Sequence, residues 1–194
     1  NNISNIYTGQ NILIFGPPNA GKSSFFNFIC REEKVIVSKY LGTTTDQVSS
    51  SIIVNGSKVN LIDSAGLRKP EEFIEKKGVS KTIGSLKKLG KFLLVLSPDT
   101  FEKKNVDFIK SIVRDLSKKK LVIVYNKTDI ANSKKAFQNW QRSIPDLQKL
   151  KSISISCINH KRNNNILNNV LNFLDKNIIT IDSGSADDYL FSEK

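Results

Sequence analysis

Short apolar runs alternate along the chain with segments in which apolar side chains recur at helical spacing. Four runs are predicted to be buried strands: residues 11–15, 92–96, 120–125 and 152–156. Helical spacing predicts helices over residues 23–31, 101–117 and 164–174, a helix that follows a polar loop and runs through Trp140, and a less regular helix over residues 71–89. Strands separated by helices of this length are typical of βαβ units in a mostly parallel sheet.

Two further strand candidates, residues 50–54 and 59–63, are joined by Asn55 and Gly56. Asn-Gly between two such runs is the strongest short-range signal for a β-hairpin. The pair is therefore predicted to be antiparallel and to lie at the edge of the sheet. Together the six runs predict a three-layer α/β domain whose six-stranded sheet is parallel apart from this hairpin.

The composition argues against several classes of protein. With 194 residues, 39% of them hydrophobic and 25% charged, the chain has the size and polarity of one soluble globular domain. Its apolar runs are far shorter than the roughly 20 residues of a membrane span, and its first ten residues lack the apolar stretch of a signal peptide. The cysteines, Cys30 and Cys157, and the single histidine, His160, are too few and too scattered for a structural zinc site. We expect a cytoplasmic protein.

Basic residues outnumber acidic ones by 30 to 18, which gives a net charge of +12. Such a charge indicates anionic partners, including nucleic acid and phosphorylated ligands. Only five of the basic residues are arginine, the residue favoured for bidentate recognition of bases and phosphates. A compositional bias towards lysine, asparagine and isoleucine is the alternative, and it accounts for the charge at least as well.

The most specific motif is GPPNAGKS at residues 16–23, which fits GxxxxGK[ST] and lies between a predicted strand and a predicted helix. In this motif successive backbone N–H groups converge on one point, and the following helix adds the positive end of its dipole. Lys22 is expected to reach the β- and γ-phosphates of a nucleotide, and the hydroxyl of Ser23 to bind Mg²⁺. The chain is therefore predicted to contain a phosphate-binding loop, or P-loop.

A second motif, Asn126-Lys127-Thr128-Asp129, follows a predicted strand at the edge where open α/β sheets bind ligands. The carboxylate of Asp129 can accept two hydrogen bonds from guanine, through N1–H and the 2-amino group. Adenine offers neither donor, so a carboxylate placed there would lose its partners at a cost of several kcal/mol. Alone, the motif could be an ordinary polar turn. Downstream of a P-loop, it resembles the guanine-specificity motif of GTPases and disfavours an adenine-specific ATPase.

Two loops between these motifs contain candidate switch residues. Residues 63–66, DSAG, follow a strand, so Asp63 is expected to hold Mg²⁺ through water and the N–H of Gly66 to contact the γ-phosphate. Residues 42–46, GTTTD, offer the hydroxyl of Thr44 as another Mg²⁺ ligand. In this order and spacing, the four motifs resemble those of a Ras-like P-loop GTPase domain.

A fifth, weaker motif follows the last strand, where GTPases usually carry Ser-Ala-Lys. Ser156 and Cys157 are expected beneath the guanine base, and Ile158 takes the place of the usual lysine. Cys157 is interpreted as a small packing residue and not as a reactive thiol, because no basic neighbour in sequence would activate it.

The residue after DSAG is Leu67, whereas a Ras-type GTPase uses a glutamine there to orient the attacking water. Leucine cannot do this, so the orienting group must come from elsewhere. Glu71, Glu72 and Glu75 are the nearby carboxylates downstream. From the residues alone, a surface charge paired with a lysine is the better explanation of Glu75.

The chain resembles the G domain of the MnmE (TrmE) family of tRNA-modification GTPases, within the wider TrmE-Era-Der-like group. The matching segments are GPPNAGKSSFFNFI, GTTTD, DSAGLRKPEEFIEKKGVSK and NKTD, and the resemblance extends over residues 8–175. Its most specific part lies between Asp63 and Val79, where the ribosome-assembly relatives have a different spacing.

The resemblance implies potassium-stimulated hydrolysis. Asn19 and the backbone of Ser38 and Tyr40 would coordinate K⁺ against the phosphates, where an arginine finger would otherwise insert. Glu75 would be the catalytic glutamate that positions the attacking water. Two G domains would meet across their switch regions when nucleotide binds.

GTP, GDP, Mg²⁺ and K⁺ are the ligands implied, with Mg²⁺ on Ser23, Thr44 and Asp63. The expected catalytic residues are Glu75, Lys22 and Gly66. The expected nucleotide contacts are drawn from the P-loop, the switches and the base-binding loops: Asn19, Ala20, Gly21, Lys22, Ser23, Ser24, Thr44, Asp63, Gly66, Asn126, Lys127, Asp129, Ser156 and Cys157.

The resemblance also implies a larger protein, as does the absence of methionine. Residues 10–178 would be the G domain, residues 1–9 the end of an upstream domain, and residues 179–194 a linker towards a helical domain that is missing here. MnmE proteins modify tRNA together with a FAD-dependent partner, MnmG (GidA). One departure is Thr45, which replaces the arginine of the family pattern GTTRD, so any interaction of that arginine is lost or replaced.

The alternative is a GTP-regulated RNA-binding switch of the Era or Der type, which shares the GxPNxGKS loop and would suit the basic charge.

The lysines and aromatic residues near residue 137 are a separate candidate for nucleic-acid binding. Lys134, Lys135, Phe137 and Trp140 could form a stacking patch for nucleic acid, but packing of the helix against the core is the simpler explanation.

Overall fold

Six strands within the described residues form one sheet. The computed structural model describes residues 10–30, 49–63, 91–116, 119–158 and 164–179. The strands are β1 (Gln10–Phe15), β2 (Ser49–Val54), β3 (Ser57–Asp63), β4 (Lys91–Leu96), β5 (Lys120–Tyr125) and β6 (Ser152–Ser154).

The strand order is β2-β3-β1-β4-β5-β6, and every neighbouring pair is parallel except β2 and β3. This confirms the predicted mostly parallel sheet with one antiparallel hairpin at its edge. β2 and β3, which follow β1 along the chain, lie on one side of it in the sheet, and β4, β5 and β6 lie on the other. A crevice therefore lies at the carboxyl end of β1, which is where sheets of this type bind ligands.

Helices cover both faces of the sheet. They are α1 (Lys22–Cys30), α2 (Lys103–Asp115), α3 (Ser133–Ser143) and α4 (Asn164–Asn177). Apolar side chains of α1 and α4 share one core with the sheet, and those of α2 and α3 share a second core on the opposite face. The three layers predicted from the sequence are confirmed. None of the helices in the described ranges has the length and apolar character needed to cross a lipid bilayer.

The alternation along β1 explains why the sheet supports two cores. Ile12 and Ile14 face the core with α1 and α4, whereas Leu13 and Phe15 face the core with α2 and α3. All four are buried, as expected for a central parallel strand whose neighbouring side chains point to opposite faces. An uninterrupted apolar run is thus needed at this position.

The β2–β3 hairpin has the geometry that its Asn-Gly turn predicts. Val54 pairs with Ser57, so Asn55 and Gly56 form a two-residue loop. Both have positive φ, +46° and +83° respectively. Two such residues in succession match the twist of the strands they join.

Several element boundaries lie one to three residues from those predicted, and two of these differences have a visible cause. Strand β6 ends at Ser154, because the carbonyl of Ile155 accepts a hydrogen bond from the N–H of Thr128 in the loop after β5. Helix α2 begins at Lys103 because the chain first makes a 3₁₀ turn over Pro98–Thr100. Proline favours the first position of such a turn through its fixed φ.

Other predictions are resolved by burial or fall outside the described ranges. Trp140 is fully buried and Phe137 nearly so, which confirms packing on the core and excludes an exposed aromatic patch at these two residues. Cys30 is partly buried against the core with α1, as expected. The helix expected over residues 71–89 and the segments 1–9 and 180–194 lie outside the described residues.

We predict that Gly56→Ala lowers the free energy of unfolding by about 1 kcal/mol, because an L side chain at φ +83° is strained although nothing lies within 4 Å of the new Cβ. Urea denaturation followed by tryptophan fluorescence measures the change. Gly56→Asn is the matched control and should cost less, since asparagine tolerates the left-handed region. Equal losses in the two variants would contradict the backbone explanation.

Candidate functional site

The P-loop joins the end of β1 to the start of α1 through a backbone with several left-handed residues. Gly16, Asn19 and Gly21 have φ values of +150°, +62° and +87°. At Gly16 a Cβ would overlap the carbonyl oxygen of Val95 in the neighbouring strand. Glycine is therefore required at this position by close approach to β4 as well as by its backbone angle.

The loop ends by presenting the amino terminus of α1 to the crevice. The first helical hydrogen bond runs from the N–H of Phe25 to the carbonyl of Gly21, at 2.9 Å. The amides of residues 22–24 precede that bond and have no carbonyl of the same helix to bind. Phe25 and Ile29 are fully buried and hold the helix against the sheet. This arrangement favours a phosphate group at the helix amino terminus.

Lys22 folds back over the P-loop. Its Nζ donates to the carbonyl oxygens of Gly16, at 3.1 Å, and Pro17, at 2.8 Å. Burial lowers the pKa of the Lys22 ammonium from its ordinary value, and the nearby charge of Asp63 opposes that shift. The ammonium is thus held at the mouth of the loop, where it can exchange these carbonyls for phosphate oxygens.

Ser23 and Asp63, the two described residues predicted to hold Mg²⁺, lie in direct contact. The hydroxyl of Ser23 donates to Oδ2 of Asp63 at 2.8 Å, across 40 residues of sequence. No group of three or more histidine, cysteine, aspartate or glutamate side chains in the described ranges could hold a metal on its own. One hydroxyl and one carboxylate instead fit Mg²⁺, which keeps several waters and takes other ligands from phosphates.

Asn126 connects the P-loop to the loops after β5 and β6. Its Nδ2 donates to the carbonyl of Ala20 at 3.1 Å, and its Oδ1 accepts from the N–H of Cys157 at 3.4 Å. Its own N–H donates to the carbonyl of Leu96 at 2.8 Å. A Cβ at Gly21 would overlap Nδ2 of this amide. One buried side chain therefore fixes the distance between the P-loop and the loop after β6.

Asp129 is held by the loop after β6. The hydroxyl of Ser156 donates to Oδ1 of Asp129, while the N–H of Thr128 donates to the carbonyl of Ile155 at 3.1 Å. Asp129 is exposed, whereas Ser156 is buried. A carboxylate that is oriented by a hydrogen bond from Ser156 and remains exposed is suited to accept hydrogen bonds from a planar ring that carries two adjacent donors.

Two residues of the loop after β6 differ in burial: Cys157 is buried in the core with α1 and α4, and Ile158 is exposed. Burial, together with the charge of Asp129, raises the pKa of the Cys157 thiol to about 12. The thiol is therefore protonated at neutral pH, in line with the packing role expected from the sequence. Ile158, at the position of the usual lysine, is 70% exposed.

Lys127 makes an ion pair that motif spacing did not indicate. Its Nζ lies 2.6 Å from Oδ2 of Asp99, in the 3₁₀ turn after β4. Oδ1 of the same carboxylate accepts a hydrogen bond from the hydroxyl of Ser97 at 2.6 Å. Partial burial raises the pKa of Asp99, but the hydrogen bonds from Lys127 and Ser97 and the charge of Lys127 outweigh it and hold the pKa below its ordinary value. The contact arises because β4 and β5 are neighbours in the sheet, although Asp99 and Lys127 are 28 residues apart along the chain.

The structure thus brings together, at the carboxyl ends of the parallel strands, the P-loop, Asp63, Asn126, Asp129 and residues 156–157. The remaining expected residues fall outside the described ranges. They are Ser38, Tyr40, Thr44, Gly66 and Glu75. Their roles, and the roles given to the described residues, stay predictions.

We predict that Asn126→Ala weakens GDP binding by about 10- to 100-fold, because it removes both hydrogen bonds between the P-loop and the loop at Cys157. Equilibrium titration with a fluorescent GDP derivative measures the effect. Asn168→Ala, at an exposed position of α4, is the control and should bind GDP normally. Unchanged affinity in a folded Asn126→Ala variant would contradict the bridging role.

We also predict that Cys157 resists alkylation. At pH 8 the thiolate fraction should be about a thousandfold smaller than for an ordinary cysteine, because the pKa of this thiol is about 12. The rate of modification by iodoacetamide, measured by mass spectrometry in a Cys30→Ser background, should rise with pH over the whole range up to that value. The same chain unfolded in urea should react at the ordinary rate. Equal rates in the folded and unfolded states at pH 8 would contradict this prediction.

Comparison with known proteins agrees with this geometry. Residues 11–127 match the protein family described as 50S ribosome-binding GTPase. A tRNA modification GTPase MnmE from Mesomycoplasma hyopneumoniae (strain 7448) is 33% identical over 160 residues, which cover 79% of this chain and 36% of that protein. The MnmE of Malacoplasma penetrans (strain HF-2) is 37% identical over 124 residues, covering 64% and 27% respectively. The chain thus spans about a third or less of the length of these relatives.

Solved structures show the same fold at lower identity. A GTP-binding protein from Sulfolobus solfataricus in complex with GDP is 22% identical with a TM-score of 0.57, covering 86% of this chain and 51% of that chain. The G domain of the T. maritima FeoB iron transporter is 18% identical with a TM-score of 0.50, covering 77% and 88%. The family match spans most of the chain and contains the P-loop, Asp63 and Asn126. The chain is therefore a P-loop GTPase that belongs to the family described as 50S ribosome-binding GTPase, and MnmE G domains are among its relatives.

Proposed function

We propose that the chain is the GTP-hydrolysing domain of a tRNA-modification protein of the MnmE type, which acts on the wobble uridine of tRNA. The identity of 33–37% to proteins named tRNA modification GTPase MnmE supports this assignment. The segment from Asp63 to Val79, which resembles that family in its residues and spacing, supports it further.

The observation that carries nucleotide binding is the position of Asn126 between the two halves of the site. Its amide bonds to Ala20 on the phosphate side and to Cys157 on the base side. A ligand that spans the site must therefore carry an anionic group and, at a fixed separation, a ring with donors for Asp129. Guanine nucleotides have both features.

The chain's own residues account for the charge balance of phosphoryl transfer. Lys22 and the amides at the start of α1 would bind phosphate oxygens, and Ser23 with Asp63 would hold Mg²⁺, together with Thr44. When bound, Mg²⁺ neutralises charge that develops on the phosphates. Since Leu67 cannot orient water, Glu75 is proposed for that role.

Potassium is proposed as the second cation. Asn19 is exposed on the P-loop with φ +62°, so its side chain is accessible to an ion beside the phosphates. Ser38 and Tyr40 would supply backbone oxygens. An arginine finger contributes about 10³–10⁵ in rate, and the described P-loop offers only Lys22 as a positive side chain, so another cation is needed.

The proposed partners follow from the same resemblance. Nucleotide-dependent pairing of two G domains would order the switch regions. A FAD-dependent MnmG (GidA) protein and tRNA would engage the full-length protein in the cytoplasm, where tRNA is modified.

A GTP-regulated RNA-binding switch in ribosome assembly is the second candidate. The description of the matched family and the net charge of +12 favour it. The two candidates differ in how hydrolysis should respond to protein concentration, because only the first requires two G domains to meet.

We predict that GTP hydrolysis is faster in KCl than in NaCl at matched ionic strength, that the rate per molecule rises with protein concentration, and that Glu75→Ala lowers it about a hundredfold. Phosphate release at several protein concentrations measures all three effects. Glu72→Ala, which removes a neighbouring carboxylate, is the matched control and should keep the wild-type rate.

Each outcome discriminates between the proposals. Potassium stimulation without concentration dependence would favour the ribosome-assembly switch. A rate that ignores the cation, the concentration and Glu75→Ala would refute the potassium and glutamate assignments while leaving a GTPase. Equal losses in Glu72→Ala and Glu75→Ala would refute the specific role of Glu75.

A further inference from the structure

The side chain of Lys127 lies between the P-loop and the turn after β4. Lys127 has φ +60°, so its backbone leaves the path of β5 immediately after Asn126. A Cβ placed on Gly21 would be 3.9 Å from Cε of Lys127, which puts the aliphatic part of the lysine beside the P-loop. At its far end Nζ lies 2.6 Å from Oδ2 of Asp99. The side chain is therefore held in one direction at the base-binding edge of the site.

Asp99 is itself held by the 3₁₀ turn. Its second carboxylate oxygen accepts from the hydroxyl of Ser97 at 2.6 Å. The hydroxyl of Thr100 donates to the carbonyl of Ser97 at 3.0 Å, and Nδ2 of Asn105 donates to the carbonyl of Thr100 at 2.8 Å. These partners connect the carboxylate to helix α2. Asp99 is accordingly a fixed acceptor for the lysine.

The buried tryptophan supports the same turn. Nε1 of Trp140 donates to the carbonyl of Ser97 at 3.3 Å, so helix α3 also fixes the residue that binds Asp99. Trp140 is fully buried and Ser97 is buried as well. A carboxylate whose supports are buried loses little conformational entropy when it binds a lysine.

The ion pair between Lys149 and Asp146 provides a comparison within the chain. Its N–O distance of 2.8 Å is similar, but its side chains are 77% and 59% exposed, against 24% and 43% for Lys127 and Asp99. Exposed pairs of this kind contribute little, because water screens the charges and two long side chains must be ordered. The Asp99–Lys127 pair is better shielded, and one of its partners is fixed beforehand.

We propose that Asp99 is a positioning residue for the guanine site: it holds Lys127 so that the aliphatic part of the lysine forms one wall for the base, and it thereby slows nucleotide release. The inference rests on guanine-nucleotide binding by this chain and not on potassium activation or tRNA modification. Without Asp99, the ammonium would reorient towards water, and the wall would have to be re-formed each time a nucleotide binds.

A double-mutant cycle on the full chain tests this role. The dissociation rate of a fluorescent GDP derivative, in NaCl and excess unlabelled GDP, is compared for wild type, Asp99→Asn, Lys127→Met and the double variant. Asp99→Asn should raise the rate about fivefold, the size expected for a partly exposed charge-assisted hydrogen bond. The double variant should release GDP no faster than Lys127→Met, because Asp99 acts through that lysine.

Two further variants separate positioning from general structural support. Asp99→Glu keeps the charge and should restore part of the slow release. Asp146→Asn, which breaks the exposed pair with Lys149, should release GDP at the wild-type rate. Urea unfolding followed by the emission of Trp140, the single tryptophan, checks that each variant is folded.

The outcomes decide between clear alternatives. Additive effects of Asp99→Asn and Lys127→Met, or an unchanged release rate in folded Asp99→Asn, would overturn the positioning role while leaving guanine-nucleotide binding intact. An equal effect of Asp146→Asn would also overturn it, since any surface charge would then act alike. Failure of wild type to bind GDP would overturn both the inference and the nucleotide assignment on which it rests.

Discussion

The amide of Asn126 makes the contact on which the arrangement of the site depends. One buried side chain donates to the P-loop at Ala20 and accepts from the loop after β6 at Cys157, while its backbone bonds to the end of β4 at Leu96. A buried amide is costly to leave without partners, so the P-loop, the loop after β6 and the end of β4 are held in one mutual position. Gly21 permits this approach, because any side chain there would displace the amide.

The parallel sheet makes such a contact possible. Strands β1, β4, β5 and β6 all end at the same edge, so segments as far apart in sequence as Ala20 and Cys157 leave the sheet side by side. The two cores hold the strands in register. The polar groups that follow the strand ends lie outside these cores, at the crevice. The order of the strands therefore decides which loops meet at the site.

The strands and the motif residues could be predicted because both depend on local signals. Apolar runs mark β1, β4 and β5, Asn55-Gly56 marks the hairpin, and GxxxxGK[ST] marks the P-loop. The link from Lys127 to Asp99 could not be predicted, since it depends on which strands are neighbours. Nor could the end of β6 at Ser154, which is set by a hydrogen bond to the loop after β5. Contacts between strand ends become visible only when the sheet order is known.

The back-folded Lys22 has a consequence for how the loop meets a nucleotide. Its ammonium donates to the carbonyl oxygens of Gly16 and Pro17, so the lysine stabilises the turn of the P-loop from within. In the proposed role of Lys22, phosphate binding would exchange these two carbonyl oxygens for phosphate oxygens. The net gain from the new contacts would be smaller by the two hydrogen bonds given up, so the lysine that orders the loop would also limit how tightly the loop holds phosphate.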